Sequence, residues 1–483
     1  MITRKQLSFQ DIYEDCREQF KNDKYKFLAM LDDSLDFDEI VPTTFGHNFY
    51  KTKGRPRKYE LYPMLKALFL QRIFSIPTDT LLLNFLRFSA ELREFCGLRS
   101  VPDAAKITRF KQEFISDLQL MFDHLVDLTE PICQKIDTRK ASMAIFDTSG
   151  IEAWVTENNP KYANKLIKQL KVWKKTFGFD DNYDPYKAAY NKMPTHSAAN
   201  PAIKQMFING HFCYAYKFGM ITNGLGIVRD ITFYNKDFLD AHPDIIIEKK
   251  TDSPDEDKTL GDAKALIPVL KDFLAKHPLI NPKIFIGDSA FDSGTIYKSL
   301  LTKLGFDKAV IPLKTKLLIN EDADCPINEH GVPCCPKNRN LPMRFEGYAP
   351  RKNGINRMKF VCPKMKWKND EHGKRRVTNC ENSCTTSVSG RMFYLYEEKD
   401  FRSYPGVARD SDEFNETYKI RGTVEQSISY FKETYGLANK KSRCEKTTHA
   451  DLLLAGITQL ITVVVADKIH QHQFIRSLKP LVA

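Results

Sequence analysis

Tyr418, Arg421, Glu425 and Lys432 stand at spacings that a helix would bring onto one stripe. At roughly 100° per residue they fall within about 60° of one another. Ile420, Val424, Ile428 and Phe431 share the adjoining face, so one side packs on a core while a carboxylate, two cations and a phenol face a partner. Two further acids, Asp147 in AIFDTSG and Asp288 in IFIGDSAFDSG, end short apolar runs that read as strands. In parallel or mixed sheets, functional side chains collect just beyond the carboxyl ends of neighbouring strands. If the two strands are neighbours and the Glu425 helix crosses them, three carboxylates meet. Bare, they would raise one another's pKa, and a divalent cation is what keeps all three ionised. Oxygen-only donors select Mg²⁺ or Mn²⁺. Two such ions suit phosphodiester cleavage, one activating the attacking oxygen and one stabilising the leaving oxygen. Arg421 and Lys432 then serve to hold phosphates, and Tyr418 adds a hydrogen bond or a stacking face. Asp292, four residues after Asp288, is read as the cap of the next helix.

These residues need elements to carry them. Around Asp147 and Asp288 the order is strand, hairpin (CYAYKFGMITN and LGIVRDITFYN about a Gly-containing turn), helix, strand, helix, strand. That order predicts an α/β core with a mixed sheet and helices on its faces. A polar, Lys-rich stretch, ENNPKYANKLIKQLKVWKKTFGF, interrupts it after the first strand. From Gly54 to about Ile136 the periodicity is helical throughout and predicts a compact all-α domain.

With 483 residues the chain is long enough for two or three folding units. A net charge of +12 favours a polyanionic partner, nucleic acid or an anionic membrane surface. The N-terminal stretch has no apolar signal core, and the run GITQLITVVVA reads as too short and amphipathic to span a bilayer, so no membrane attachment is expected. Within the helical region Arg55 and Arg57 of KTKGRPRK suit an extended arm for an A·T-rich minor groove, or a solvated linker. Lys106, Arg109 and Lys111 of PDAAKITRFKQEF suit a recognition helix facing duplex DNA.

Eleven cysteines in a cytosolic-looking chain argue against disulfides. Six of them, Cys325, Cys334, Cys335, Cys362, Cys380 and Cys384, fall in a Pro-, Gly- and Asn-rich segment with little periodicity, from about Lys314 to Gly390. Such a segment needs a staple, and a structural Zn²⁺ held by four of these thiols is the expectation. Cys380 and Cys384 form one ligand pair, and His330 and His372 are substitutes.

The spacing Tyr-x2-Arg-x3-Glu-x6-Lys, filled by Tyr418, Arg421, Glu425 and Lys432, resembles the signature around the last acid of bacterial insertion-sequence transposases of the DDE type. Asp147 and Asp288 resemble that family's first two acids, and GRPRKYELYPMLKALFL and PDAAKITRF are similar to the helical N-terminal domain of one branch. The resemblance implies an RNase H-like core using Mg²⁺, and a protein that cuts at the inverted repeats of its element and joins the freed 3′ ends to target DNA. A homodimer on double-stranded DNA, in the cytoplasm and associated with the nucleoid, goes with it. The expected layout is a helical DNA-binding domain over 1–140, the core over 141–313, a Cys-rich insertion over 314–390 and the rest of the core over 391–483. Some relatives hold a flipped base with an aromatic residue, a role the sequence assigns to neither Trp173 nor Trp367. A metal-dependent nuclease without strand joining and a non-catalytic DNA-binding derivative are the alternatives.

Overall fold

A computed structural model of the chain describes residues 26–50, 56–178, 183–208, 211–245, 260–314, 325–328, 330–352, 355–371, 373–396, 401–409, 411–438 and 440–482, with Gln10 and Glu14. Three helices, α1 (Lys26–Ser34), α2 (Phe37–Ile40) and α3 (Thr43–Phe49), come first. Then follow α4 (Leu61–Ile73), α5 (Asp79–Phe88), α6 (Ala90–Cys96), α7 (Ala104–Glu113) and α8 (Ile115–Ile136). The run 79–96 divides at Ser89, whose hydroxyl accepts a hydrogen bond from the Leu92 amide and caps α6; Thr78 and Asp103 cap α5 and α7 in the same way.

The short α9 (Thr138–Ala141) leads into β1 (Met143–Glu152). Next come a helical hairpin, α10 (Pro160–Phe177) and α11 (Pro185–Lys192), and the strands β2 (His196–Ser197), β3 (Asn200–Ile208), β4 (His211–Thr222) and β5 (Val228–Phe233). After α12 (Lys236–Ala241) and α13 (Asp262–Lys276) come β6 (Ile284–Ile286), α14 (Gly294–Lys298) and β7 (Lys308–Val310). The expected hairpin is β4–β5, turning where Asn223 Oδ1 accepts from the Leu225 and Ile227 amides and Gly226 takes a positive φ of 76°.

The sheet runs β2-β3-β4-β1-β6-β7, with β5 also on β4. β1, β6 and β7 are parallel and the other pairs antiparallel. β1 does not end at Asp147, as its apolar run alone implies. It continues to Glu152 because the longer β4 supplies ladder partners: Met220 for Asp147, Gly219 for Thr148 and Phe218 for Ser149. On the other edge, pairing with β6 stops at Ile145↔Ile286. Beyond Ile145 the β6 edge of β1, where Asp147 sits, has no ladder partner.

The cysteine-bearing segment is built of strands: β8 (Cys334–Cys335), β9 (Asn338–Pro342), β10 (Arg344–Lys352), β11 (Ile355–Val361), β12 (Met365–Asp370), β13 (Gly373–Thr378) and β14 (Met392–Tyr396). β10, β11 and β14 form one small sheet, and Val332, Met343, Met358, Phe360 and Leu395 give it an apolar cluster of its own. Three helices then carry the remaining site residues and the core: α15 (Asp412–Lys419), α16 (Gly422–Ser429) and α17 (Glu445–Lys468).

α4 and α17 are apolar around their whole circumference, so each needs partners on every side. α17 finds them in α4, α7, α8 and β5, and α4 finds them in α5, α6 and α17, so that the helical region and the sheet share one hydrophobic core. The run GITQLITVVVA is thus not an amphipathic stub but part of a 24-residue helix, long and apolar enough to cross a membrane yet almost wholly buried inside the protein. Gly456 allows this close packing, since a Cβ there would lie 2.7 Å from both Ile231 and Phe122.

Charge as well as apolar surface ties α17 to the helices. Asp451 is fully buried and pairs with Arg72 at 2.5 Å, with Lys111 at 2.9 Å and with Lys440. Lys111 also holds Asp79 at 2.6 Å, and Arg72 donates to the Tyr435 carbonyl at 3.2 Å. Burial pushes the Lys111 ammonium down to about 8 and the Arg72 guanidinium to about 10. Removing one member of such a cluster strands the others in a dry site. Asp451→Asn is expected to cost about 3–5 kcal/mol of stability, read as a lower urea midpoint at unchanged m-value.

His449, two residues before Asp451 in α17, stacks on Phe233 at 4.7 Å, and burial lowers its pKa to about 4. Between that value and its ordinary 6.5 the unfolded chain binds the proton and the folded chain does not, so stability falls as the pH drops through this window. The full contribution is about 3 kcal/mol. A His449→Phe variant should lose less stability than the parent between pH 6.5 and 4 in parallel urea titrations.

Candidate active site

Asp147, Thr148 and Ser149 of β1 form one wall of a crevice of about 690 Å³ whose opposite wall is α16, with Glu425, Ile428 and Ser429, followed by Lys432. The Tyr418–Lys432 stretch is not one unbroken helix. α15 ends at Lys419, α16 begins at Gly422, and Tyr430–Thr434 form a wider π turn. Ile420 and Arg421 keep right-handed helical torsions through the break, so the stripe survives it. The π turn follows, and Lys432 Nζ reaches Ser149 Oγ at 2.8 Å.

Arg421 bridges two of the acids. Its Nη1 lies 2.6 Å from Glu425 Oε1 and its Nη2 3.6 Å from Asp147 Oδ2. Burial works against its charge, but Asp147 and Glu425 outweigh it and raise the guanidinium pKa. Asp147 is pushed up to about 6, chiefly by burial, with the charges of Asp288 and Glu425 adding to the rise. The Thr148 amide, 2.8 Å from Oδ1, and Arg421 oppose it. Asp288 therefore lies within electrostatic reach of Asp147. It follows β6 after Gly287, and its Oδ1 accepts from the Ala290 amide at 2.9 Å to cap a short 3₁₀ turn. Tyr418 stacks on Phe414, and burial keeps its hydroxyl protonated. Burial lowers the Lys432 ammonium pKa.

Arg421 acts as a stand-in cation between two carboxylates, and the donors around it are the hard oxygens that Mg²⁺ or Mn²⁺ prefer. The chemistry of the donor set fits such an ion. The three acids are not closed into a ligand shell, and among the described residues no group of three or more His, Cys, Asp and Glu lies at metal-holding distance. Asp292 plays no capping part, because Ser293 holds the position before α14. Its carboxylate instead receives Arg402 at 2.9 and 2.6 Å and the Lys314 amide at 2.8 Å.

The crevice holds residues that the sequence pattern did not single out. Lys217 pairs with Asp262 at 2.6 Å, and the Thr148 hydroxyl donates to the same carboxylate at 2.7 Å. Phe207 and Phe212, 64 % and 47 % exposed, meet edge to face at its mouth. A lone cation in the apolar run CYAYKFGMIT was the legible signal for Lys217. Nothing local marked the two phenylalanines, because β3 and its pairing with β4 were not foreseen.

Of the residues assigned to DNA, Lys106 and Arg109 are exposed and line a second cavity with Arg57 and Lys58. Lys111 is the exception: it points into the core and is fully buried in the ion cluster with Asp79 and Asp451, so it faces no DNA. Arg57 is no free arm. It hydrogen-bonds the Phe49 carbonyl and Glu113 and lies over the Phe49 and Phe114 rings. Arg55 and His372 lie outside the described residues. Trp173 packs against Phe177, with the Lys192 ammonium over its ring, and Trp367 carries Lys374 and Arg376 over its ring in β12.

The six cysteines do not assemble a zinc site among the described residues. Cys325 turns its thiol to the Cys334 carbonyl and the Met343 sulfur, and Cys334 turns to the Val332 carbonyl. Cys335, Cys362 and Cys384 lie near enough for burial and one another's charge to raise the Cys384 pKa, while Cys380 and Cys384 are half-exposed. The segment has strands and an apolar cluster of its own.

Residues 14–113 match the family described as Transposase domain (DUF772), and residues 256–479 match the Transposase DDE domain. The second match contains Asp288 and Glu425 and begins after Asp147. No curated protein matches the chain. The mixed sheet with its covering helices is consistent with the core of such a domain. Two stretches of the chain are thus similar to transposase domains, a pairing that supports an insertion-sequence transposase of the DDE type.

Proposed function

We propose that the chain cuts DNA at the inverted repeats of its own element and joins the freed ends to target DNA, with Asp147, Asp288 and Glu425 as the acids of the site and Tyr418, Arg421 and Lys432 as phosphate holders. The observation that carries this reading is the Arg421 bridge between Asp147 and Glu425 at the point where β1 loses its β6 neighbour. An RNase H-like core is supported by the strand order β5-β4-β1-β6-β7, antiparallel on one side of β1 and parallel on the other. The spacing of Tyr418, Arg421, Glu425 and Lys432 supports assigning the chain to the subgroup with the Tyr-Arg-Glu-Lys signature.

In the first step a water oxygen forms a bond to phosphorus and the bond from phosphorus to the 3′ oxygen breaks. The leaving oxygen takes up a proton to become a 3′ hydroxyl, and the flank keeps the 5′ phosphate. In the second step that hydroxyl loses its proton and attacks a target phosphate, whose own 3′ oxygen leaves. Mg²⁺ or Mn²⁺ held by the three carboxylates would activate the attacking oxygen and offset charge on the leaving one. Lys432, fixed by Ser149, and Lys217, fixed by Asp262, hold cations at the crevice wall where a phosphate can sit. Tyr418 keeps its proton and so donates. A homodimer would bring two ends together on one target.

Losing a residue behind a metal ligand typically costs 10–100-fold, so losing a ligand should cost more than about a hundredfold. Asp147→Ala, Asp288→Ala and Glu425→Ala are each expected to remove Mg²⁺-dependent cleavage of duplexes bearing the element end while leaving their binding largely intact. Wild-type cutting rates in any one purified variant would exclude that acid. Transfer of a labelled 3′ end to a plasmid separates strand joining from simple nuclease action.

Phe207 and Phe212 offer ring faces to an unpaired base beside the acids. Alanine at either position should weaken binding of a frayed end by about 1–3 kcal/mol and leave blunt duplex binding unchanged. Fluorescence anisotropy with matched frayed and blunt probes measures the difference.

A further inference from the structure

We propose that the hairpin α10–α11 is a clamp for the phosphate backbone of duplex DNA beyond the reacting phosphate. The proposal rests on the reading of the crevice as a site that works on DNA. From residue 158 to residue 179 the sequence carries six lysines and no carboxylate. Ile167 and Leu170 pack on Ala189 of α11 and hold the two helices together. On the far side of α10, Lys161, Lys165, Lys168 and Lys175 fall in a stripe about 80° wide. All four are exposed, and Val172, 65 % exposed, completes the row. Lys171 and Lys174 lie off the stripe and are engaged by the Tyr186 hydroxyl and the Tyr183 carbonyl.

Like charges three and four residues apart destabilise a helix, and no acid within α10 offsets them. A face that only keeps a protein soluble mixes both signs. A single-sign stripe finds its compensation in a polyanion. Its place in the chain says which one. Moving outward along β1 from Asp147, Lys432 is held at Ser149, the Lys441 ammonium lies 5.2 Å from the centre of the Trp154 ring, and α10 follows. Asp147 and Glu152 are separated by about 17 Å of strand. α10 is about 27 Å long, the length of about eight base pairs. Cations thus continue from the acids to the stripe along the one strand that carries Asp147.

The test uses the full chain with Lys161→Gln, Lys165→Gln, Lys168→Gln and Lys175→Gln together, which removes charge and keeps good helix formers. A second protein with arginine at the same four positions keeps the charge. Affinity for a long random-sequence duplex is measured across a salt series. The glutamine variant should lose about 3–4 from the log–log salt slope and bind more than about tenfold more weakly at low salt, while the arginine variant keeps both. Cleavage of a short duplex that ends near the reacting phosphate should be unchanged. An unaltered slope in a glutamine variant that melts like wild type overturns the clamp. So does a loss confined to anionic phosphatidylserine vesicles, or a change of oligomeric state with duplex binding intact. If wild type binds duplex through the stripe but cuts no DNA with Mg²⁺, the clamp stands and the reading of the active site falls.

Discussion

Everything in this molecule hangs on how the buried carboxylate of Asp451 is satisfied. It gathers Arg72 from α4, Lys111 from α7 and Lys440 from the stretch after the π turn, and Lys111 brings in Asp79. Each of these charges would be prohibitively costly alone in a dry interior, so none can be buried until the others arrive. The cluster thereby fixes the distance between the helical region and the segment that carries Glu425 and Lys432. The Arg72 bond to the Tyr435 carbonyl and the Ser75 hydroxyl on the Thr434 carbonyl grip the end of the π turn directly. The helical region is consequently part of the scaffold of the crevice.

A second constraint is the unequal length of the neighbours of β1. β4 pairs along β1 as far as Glu152, whereas β6 gives out at Ile145. The backbone at Asp147 is therefore held firmly on one edge and open on the other. A carboxylate placed there is rigid and also accessible, and its partial burial leaves it poorly stabilised without a cation nearby. Arg421 supplies that cation, and it comes from the break between α15 and α16, where the chain is least constrained by its own helical hydrogen bonds.

Much of this was legible in the sequence because it depends on local periodicity. The apolar face of Val424, Ile428 and Phe431 and the run that became α8 are patterns of period 3.6, and the β4–β5 hairpin shows as two apolar runs about a Gly-containing turn. What was not legible depended on partners distant in the chain. Lys111 looks like any exposed basic residue on an amphipathic helix until Asp451, 340 positions later, is seen to be waiting for it. β1 looked finished at Asp147 because its continuation, TSGIE, is carried by β4 rather than by its own apolar character. The cysteine-bearing segment looked shapeless because its small cluster draws on few residues, among them Met343, Met358, Phe360 and Leu395, set among polar ones.

The span of the Asp451 cluster also sets a clock on biosynthesis. Arg72 and Asp451 are 379 positions apart, and translation at 5–20 residues per second separates their appearance by about 20–75 seconds. Throughout that interval the side of α4 that packs on α17 lacks its partner, and Arg72 lacks Asp451. Shortened translation products that stop before α17 leave that side of α4, and Arg72, without the partners that bury them. The wall of the crevice that carries Glu425 and Lys432 is in this way fixed in place only in chains whose synthesis has passed α17.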